Sequence, residues 1–299
     1  MADKIEILPV SLLETEGERM LELKKLARSL KLEFGWHYLL DITWILQQLD
    51  RIEGLNVIDA GAGTGMIQWY LAESGARVIS VDRESRADLQ PKFRDRFEVS
   101  GLRDEDLDDR NPSSWRNRGI NRRSFKSLVS NIIYQLNLSL SRRSQKDNVP
   151  GQVIIYNQDL GNLVDIPDNS VEAVVAVSSL EHNSPERLVK VVAELLRVLK
   201  PGGPLLATLG AAKESDWYHQ PSKGWCYTEK TLRKIFRIST EIPSNYDQYD
   251  HLFNELKECT ELSDNLASFY FRSGDNGMPW GIWEPEYQPV GVCKIKNGA

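Results

Sequence analysis

The run Val57-Ile-Asp-Ala-Gly-Ala-Gly-Thr-Gly65 constrains the fold of this chain more than any other stretch. Three β-branched or apolar residues lead into a turn where every second residue is glycine, and the apolar, helix-prone run MIQWYLAESG follows. A strand that ends in such a turn can reverse tightly and let a ligand approach the backbone with no Cβ in the way. The glycines fall at 61, 63 and 65, whereas the dinucleotide fingerprint needs its third glycine at 66, which here is Met66. The spacing therefore favours a smaller nucleoside ligand without a pyrophosphate over a dinucleotide.

The alternation continues past that turn. VISV (78–81), VIIY (153–156), VEAVVAV (171–177) and PLLATL (204–209) are further strand candidates, and ERLVKVVAELLRVLK (186–200) is a helix stopped by Pro201-Gly202-Gly203. Strands alternating with helices predict a mostly parallel sheet covered on both faces. ASFYF (267–271) and PVGVCKI (289–295) read as a closing antiparallel pair. The first fifty residues read as helical. Ser11 and Glu14 have capping-box spacing, Gly35 breaks the first run, and Trp36 to Leu49 is apolar on most sides, as a buried helix would be.

About fifty residues, Gly101 to Pro150, interrupt the alternation. Between Arg110 and Lys146 they carry nine Lys or Arg and no acid, and Phe125, Leu128, Val129, Ile132, Ile133, Leu136 and Leu140 mark one helical face. Arg122 and Arg123, with Arg116, Arg118, Lys126, Arg142, Arg143 and Lys146, make this insertion a candidate anion-recognising lid, through which the protein would also touch a membrane surface. The opposing reading is a solvated face that keeps an inserted helix soluble. The whole chain is acidic, with 37 Lys and Arg against 43 Asp and Glu, which disfavours a general nucleic-acid binder. Three scattered cysteines, Cys226, Cys259 and Cys293, predict neither a disulfide framework nor a zinc ribbon. No stretch approaches the ~18 apolar residues of a membrane-spanning helix, and the start MADKIEILPV lacks the pattern of a secretory leader. A cytoplasmic protein is the expectation.

Two carboxylates extend the ligand site. Asp82 ends the second strand, seventeen residues after Gly65, where it can accept both hydroxyl hydrogens of a ribose. Asp159, in Tyr156-Asn-Gln-Asp-Leu160, follows the third strand and could accept from an adenine amino group, with the Leu160 amide donating to the ring.

The ordered set VIDAGAGTG, VISVD, NQDL, VEAVVAVSSLEH and LKPGG followed by a strand resembles the class I S-adenosylmethionine-dependent methyltransferases. The resemblance implies a Rossmann-like, doubly wound, seven-stranded and mostly parallel α/β sheet with its last strand antiparallel. It divides the chain into an N-terminal helical cover (1–50) and a cofactor-binding domain (51–299) that carries the helical insertion at about 101–150. S-adenosylmethionine is the implied cofactor. Asp59, Gly61, Gly63 and Gly65 would surround its methionine part, Asp82 would hold its ribose hydroxyls, Asp159 and Leu160 would sit at its adenine and Ser178 beside its sulfonium end, with Ala62 and Arg83 as further cofactor contacts.

An oxygen acceptor of high pKa needs a base, and His182, in Ser178-Ser-Leu-Glu-His182, either takes that proton or only holds the loop. Glu181 is a second, poorer candidate that could instead orient the loop. A related subgroup, the quinone-biosynthesis O-methyltransferases, binds a divalent metal through Glu-x-x-Glu-His; its first Glu corresponds to Ser178 here, so no metal is expected. Trp217, Tyr218 and His219 should lie on a loop over the pocket, and Tyr38, in the cluster Phe34, Trp36, His37 and Tyr38, should help wall it. Thr228 should cap a helix over 229–236. The reading is methyl transfer to an oxygen, less readily a nitrogen, of a small-molecule or glycan-type acceptor with anionic character. The alternatives are an RNA methyltransferase and a cofactor-binding regulator without catalysis.

Overall fold

The computed structural model describes residues 1–33, 35–108, 149–269 and 282–298. Of the predicted features, Phe34 and the body of the basic insertion, Arg122 and Arg123 included, lie outside these residues.

Five strands form the centre of the parallel part of the sheet around the glycine turn. They are β2 (Asn56–Ala60), β3 (Arg77–Asp82), β5 (Gln152–Asn157), β6 (Ala173–Val177) and β7 (Pro204–Ala211). With β1 (Lys4–Ile7), β4 (Glu98–Gly101) and β10 (Gln288–Ile295) the spatial order is β1-β10-β7-β6-β2-β3-β5-β4. The hairpin β8 (Trp217–His219) and β9 (Gly224–Tyr227) joins the end of β7 through Gly210↔Cys226 and Ala211↔Tyr227. β10 runs antiparallel to β7, as expected of the closing strand. The described sheet has ten strands rather than seven.

Two sequence expectations change at this edge of the sheet. The antiparallel partner of β10 is not ASFYF, because Ala267–Phe269 end the helix α9 (Thr260–Phe269). The partner is β1, with Ile5↔Val292 and Ile7↔Val290 in register. The N-terminal stretch is thus not purely helical. Ile5 and Ile7 alternate into the core at 0% exposure, and four residues of period-two pattern were too few to stand out from the helical run beyond them. The side chain of Asn245 finishes that edge, accepting from Ile7 N at 2.7 Å and donating to Ile7 O at 2.9 Å.

The N-terminal helices are α1 (Ser11–Thr15), α2 (Gly17–Leu30) and α3 (Tyr38–Gln47). The Ser11–Glu14 capping box does not form: Val10 takes the N-cap position, and no side chain bonds the first turn. The first helical run ends at Lys31, held at φ 51°, before Gly35 is reached. α3 is buried along nearly its whole length, as its all-round apolar pattern predicts. It packs against β10, where a Cβ on Gly291 would stand 2.5 Å from the Trp44 ring. Glycine at 291 is what lets the helix approach the strand.

The chain crosses the sheet through α4 (Ile67–Glu73), α5 (Pro91–Arg96), α6 (Pro185–Val198), α7 (Glu229–Phe236) and α8 (Tyr249–Lys257). Trp69 stacks on Phe93 at 4.4 Å between ring centroids and anchors α4 to α5 on one face. Leu188, Val191, Val192, Leu195 and Val198 of α6 bury into the other face. Thr228 caps α7 as predicted, its hydroxyl accepting from Thr231 N. No described helix is long and apolar enough to cross a membrane. From β2 the chain builds outward through β3 and β5, then returns to add β6 and β7 on the other side of β2. A crevice opens at such a reversal, at the carboxyl ends of the strands.

Candidate active site

That crevice is a cavity of about 330 Å³. It is lined by Tyr38 and Ile42 of α3, the turn Gly61–Ile67, Asp82, Arg83 and Glu84 after β3, Asp159 and Leu160 after β5, and Val177, Ser178, Ser179, His182, Asn183 and Arg187 after β6. Asp59, at the end of β2, forms part of the same lining. The ten residues assigned to the cofactor from sequence therefore share one cavity.

The glycine turn is braced from behind. Gly61 and Gly63 sit at φ 76° and 46°, and a Cβ on Gly61 would stand 2.5 Å from that of Ser179. The amides of Gly61 and Ala62 both donate to Val81 O, at 2.9 and 3.0 Å. Gln68 donates to Gly65 O at 2.9 Å and accepts from Ser80 Oγ at 2.6 Å. Arg86, 6% exposed, donates to Gly63 O at 3.1 Å, Ser80 O at 2.6 Å and Tyr156 O at 3.3 Å. Neither Gln68 nor Arg86 was legible in the sequence, since a buried arginine after a strand looks like any solvated one.

The carboxylates differ in what holds them. Asp82 accepts from Gly63 N at 2.8 Å and Glu84 N at 2.9 Å, which aims it across the glycine turn. Asp59 is 1% exposed, and its Oδ2 has no hydrogen-bond partner among the described residues. Burial pushes its carboxyl up to about 7, Asp82 adds to the rise, and the Arg86 guanidinium opposes it. A buried acid with an unpaired oxygen at the floor of a cavity needs a cationic or donor partner. Asp159 accepts from Gly161 N at 2.8 Å and pairs with Arg187, so part of the acceptor capacity expected to face an adenine is shared with a guanidinium.

The turn after β6 carries the candidate chemistry. Ser178 is held at φ 44°, a region that costs a non-glycine residue of order 1–3 kcal/mol. Its amide donates to Thr208 O at 3.2 Å, and its hydroxyl donates to Glu181. Glu181 is 6% exposed and lies behind the lining rather than in it; burial holds its carboxyl above the ordinary range, and its Oε2 is unpartnered. His182 reaches the cavity, and its Nδ1 lies 3.0 Å from Lys223 O. A carbonyl only accepts, so Nδ1 carries the proton and Nε2 keeps its lone pair.

The expected pocket loop is instead the β8–β9 hairpin, and Trp217, Tyr218 and His219 do not line the cavity. His219 is buried at 2% exposure, with Nδ1 2.8 Å from Ser222 Oγ and its ring against Tyr287. Trp217 packs edge-on against His219, and Tyr218 against Trp225. What the hairpin gives the site is the backbone carbonyl of Lys223, a contact no side-chain pattern could announce.

Residues 118–207 match the methyltransferase domain family, a stretch that includes β5, β6, the Ser178–His182 turn and α6. A ubiquinone biosynthesis O-methyltransferase of Leptothrix cholodnii is 35% identical over 48 residues, 16% of this chain and 20% of that enzyme. The chain thus matches about a fifth of the length of that curated relative. Among solved structures, the 1,6-didemethyltoxoflavin-N1-methyltransferase of Burkholderia thailandensis has a TM-score of 0.44 at 13% identity, over 97% of this chain and 89% of that one. A phosphoethanolamine N-methyltransferase of Haemonchus contortus has a TM-score of 0.48 at 13% identity, over 96% and 59%. Likenesses of that size carry nothing about substrate. The methyltransferase-domain match spans residues 118–207, and the sheet order and glycine turn around it are those of a Rossmann-like fold.

Proposed function

We propose that this protein is a working enzyme that moves the methyl group of S-adenosylmethionine to an oxygen of a small-molecule acceptor. The observation that carries the reading is the shared cavity, in which the glycine turn, Asp59 and Asp82 stand beside Ser178 and His182. The residues fit the cofactor. Asp59 offers an unpaired buried carboxylate oxygen to an ammonium, Asp82 a fixed carboxylate to ribose hydroxyls, and Asp159 with Leu160 a polar edge and an apolar surface to a purine. When bound, S-adenosylmethionine would supply an electrophilic methyl on sulfur with a neutral thioether as the leaving group.

The rest falls to the protein. Alignment of a nucleophile with a bound electrophile supplies about 7–11 kcal/mol of barrier reduction. His182, with Nδ1–H fixed on Lys223 O, presents Nε2 as the base that takes the acceptor's proton. Tyr38 and Ile42 of α3 line the cavity and offer it an aromatic and an aliphatic surface. The anionic and glycan-type acceptors expected from sequence rest on arginines outside the described residues, and no described contact supports them. The test is calorimetry with S-adenosylhomocysteine, followed by transfer of labelled methyl from S-adenosylmethionine into fractionated metabolite pools. Binding of NAD with none of S-adenosylhomocysteine would overturn the assignment.

A further inference from the structure

The polar side chains of the turn after β6 share a direction. Ser178 Oγ donates to Glu181. Ser179 Oγ donates to Ala60 O at 2.6 Å. His182 Nδ1 donates to Lys223 O at 3.0 Å. Asn183 Nδ2 donates to Leu180 O at 3.0 Å. All four residues line the cavity, yet each commits a polar hydrogen to a protein acceptor. A serine hydroxyl has one hydrogen and a neutral imidazole one N–H, so Ser178, Ser179 and His182 have only lone pairs left for a ligand. Arg187, at the edge of the lining, has its charge paired with Asp159 and its Nε donated to Asn183 Oδ1.

We propose that this wall selects the reacting group of the methyl acceptor, admitting a hydroxyl or an amine, which brings its own hydrogen, and rejecting a carboxylate or phosphate oxygen. This rests on the methyltransferase reading and narrows its substrate. An anionic oxygen set against Ser178 Oγ, Ser179 Oγ and His182 Nε2 would meet lone pairs, and it would lose the water that had solvated it. Discrimination by unpaired buried polar groups is the steep kind. Glu181 enforces the polarity: its buried carboxyl accepts the Ser178 hydrogen and turns it inward. The wall also faces a sulfonium without repulsion.

In the transfer itself the acceptor's O or N forms a bond to the methyl carbon, the carbon–sulfur bond breaks with its electron pair on sulfur, and the acceptor's hydrogen leaves as a proton to His182 Nε2. An ester-forming carboxylate would have no proton to give and no use for that base.

The experiment labels a mixed metabolite pool with the purified protein and methyl-labelled S-adenosylmethionine, then treats the product with mild alkali. Base-stable label that mass spectrometry places on an ether oxygen or an amine nitrogen is expected; label released as volatile methanol marks a carboxylic methyl ester, and base-stable label found on a phosphate marks a methyl phosphate, and either overturns the proposal. Ser178→Gly tests the wall directly. Its backbone already sits in the left-handed region that glycine prefers, which offsets the hydrogen bond lost to Glu181, and thermal melts check that the variant is folded. Label incorporation should fall about tenfold, with S-adenosylhomocysteine still bound; unchanged incorporation overturns the proposal. Failure of the wild type to bind S-adenosylhomocysteine would instead strike the cofactor assignment.

Discussion

Nδ1 of His182 lies 3.0 Å from the carbonyl of Lys223, forty-one residues further along the chain. Lys223 sits at φ 54° at the tip of the β8–β9 hairpin, in the conformation that turns its carbonyl onto the ring. The tautomer of a candidate base is thus set by a backbone atom from another part of the fold. His182→Ala should lower turnover by about 10²–10⁴ with little change in cofactor affinity. Steady-state rates alongside calorimetry check this; an unchanged rate leaves His182 a loop-holding residue.

Asp82 is held by two backbone amides, of Gly63 and Glu84, and so meets a ligand without first being ordered. Asp82→Ala should weaken S-adenosylhomocysteine binding by about 1–3 kcal/mol, a factor of roughly 5–150. Asp82→Asn should cost less, because its Oδ1 still accepts. A calorimetric series over the three proteins measures both.

Asp59 predicts a pH dependence of known sign. Its folded carboxyl is pushed up to about 7, above the unfolded value, so the acid form is the one folding favours. Its contribution to stability is fully present below about pH 4, the range of a free aspartate, and is lost as pH rises through about 7. Ligand binding runs the other way, since an ammonium needs the ionised form. S-adenosylhomocysteine affinity should rise between pH 6 and 8 in the wild type and stay flat in Asp59→Asn. Thermal melts of the free protein over the same range should show wild-type stability falling relative to Asp59→Asn.

The parts of the molecule visible in the sequence were those with short-range signatures. The glycine turn, the acid closing β3 and the apolar face of α6 each announce themselves within a dozen residues; the structure brings the first two together at the carboxyl ends of the parallel strands and buries the third in the core. What stayed hidden depends on distant segments. β1 exists because β10 offers a free edge, and four residues of alternation cannot reveal that. Trp217 and His219 look like pocket aromatics in sequence, yet Tyr287 and the hairpin geometry draw His219 into a buried cluster beside the cavity. The inward turn of the Ser178, Ser179 and His182 hydrogens comes from Glu181 and two backbone carbonyls, and side-chain identity does not encode which acceptor will be near.

Arg86 ties the glycine turn to the titration of Asp59. Its guanidinium bonds Gly63 O and Ser80 O, and its charge opposes the rise in the Asp59 carboxyl. Arg86→Met keeps much of the side chain's volume and removes both the donors and the charge. With donors lost to buried carbonyls, stability should fall by about 1–3 kcal/mol, read as a lower melting temperature. That loss alone would fit a purely structural arginine. The discriminating readout is the pH midpoint of S-adenosylhomocysteine binding. Without the opposing positive charge the Asp59 carboxyl rises further, so the midpoint should move upward from about 7. Binding at pH 6 should suffer more than binding at pH 8. A variant that binds more weakly by the same factor at both pH values would show that Arg86 braces the turn without tuning Asp59.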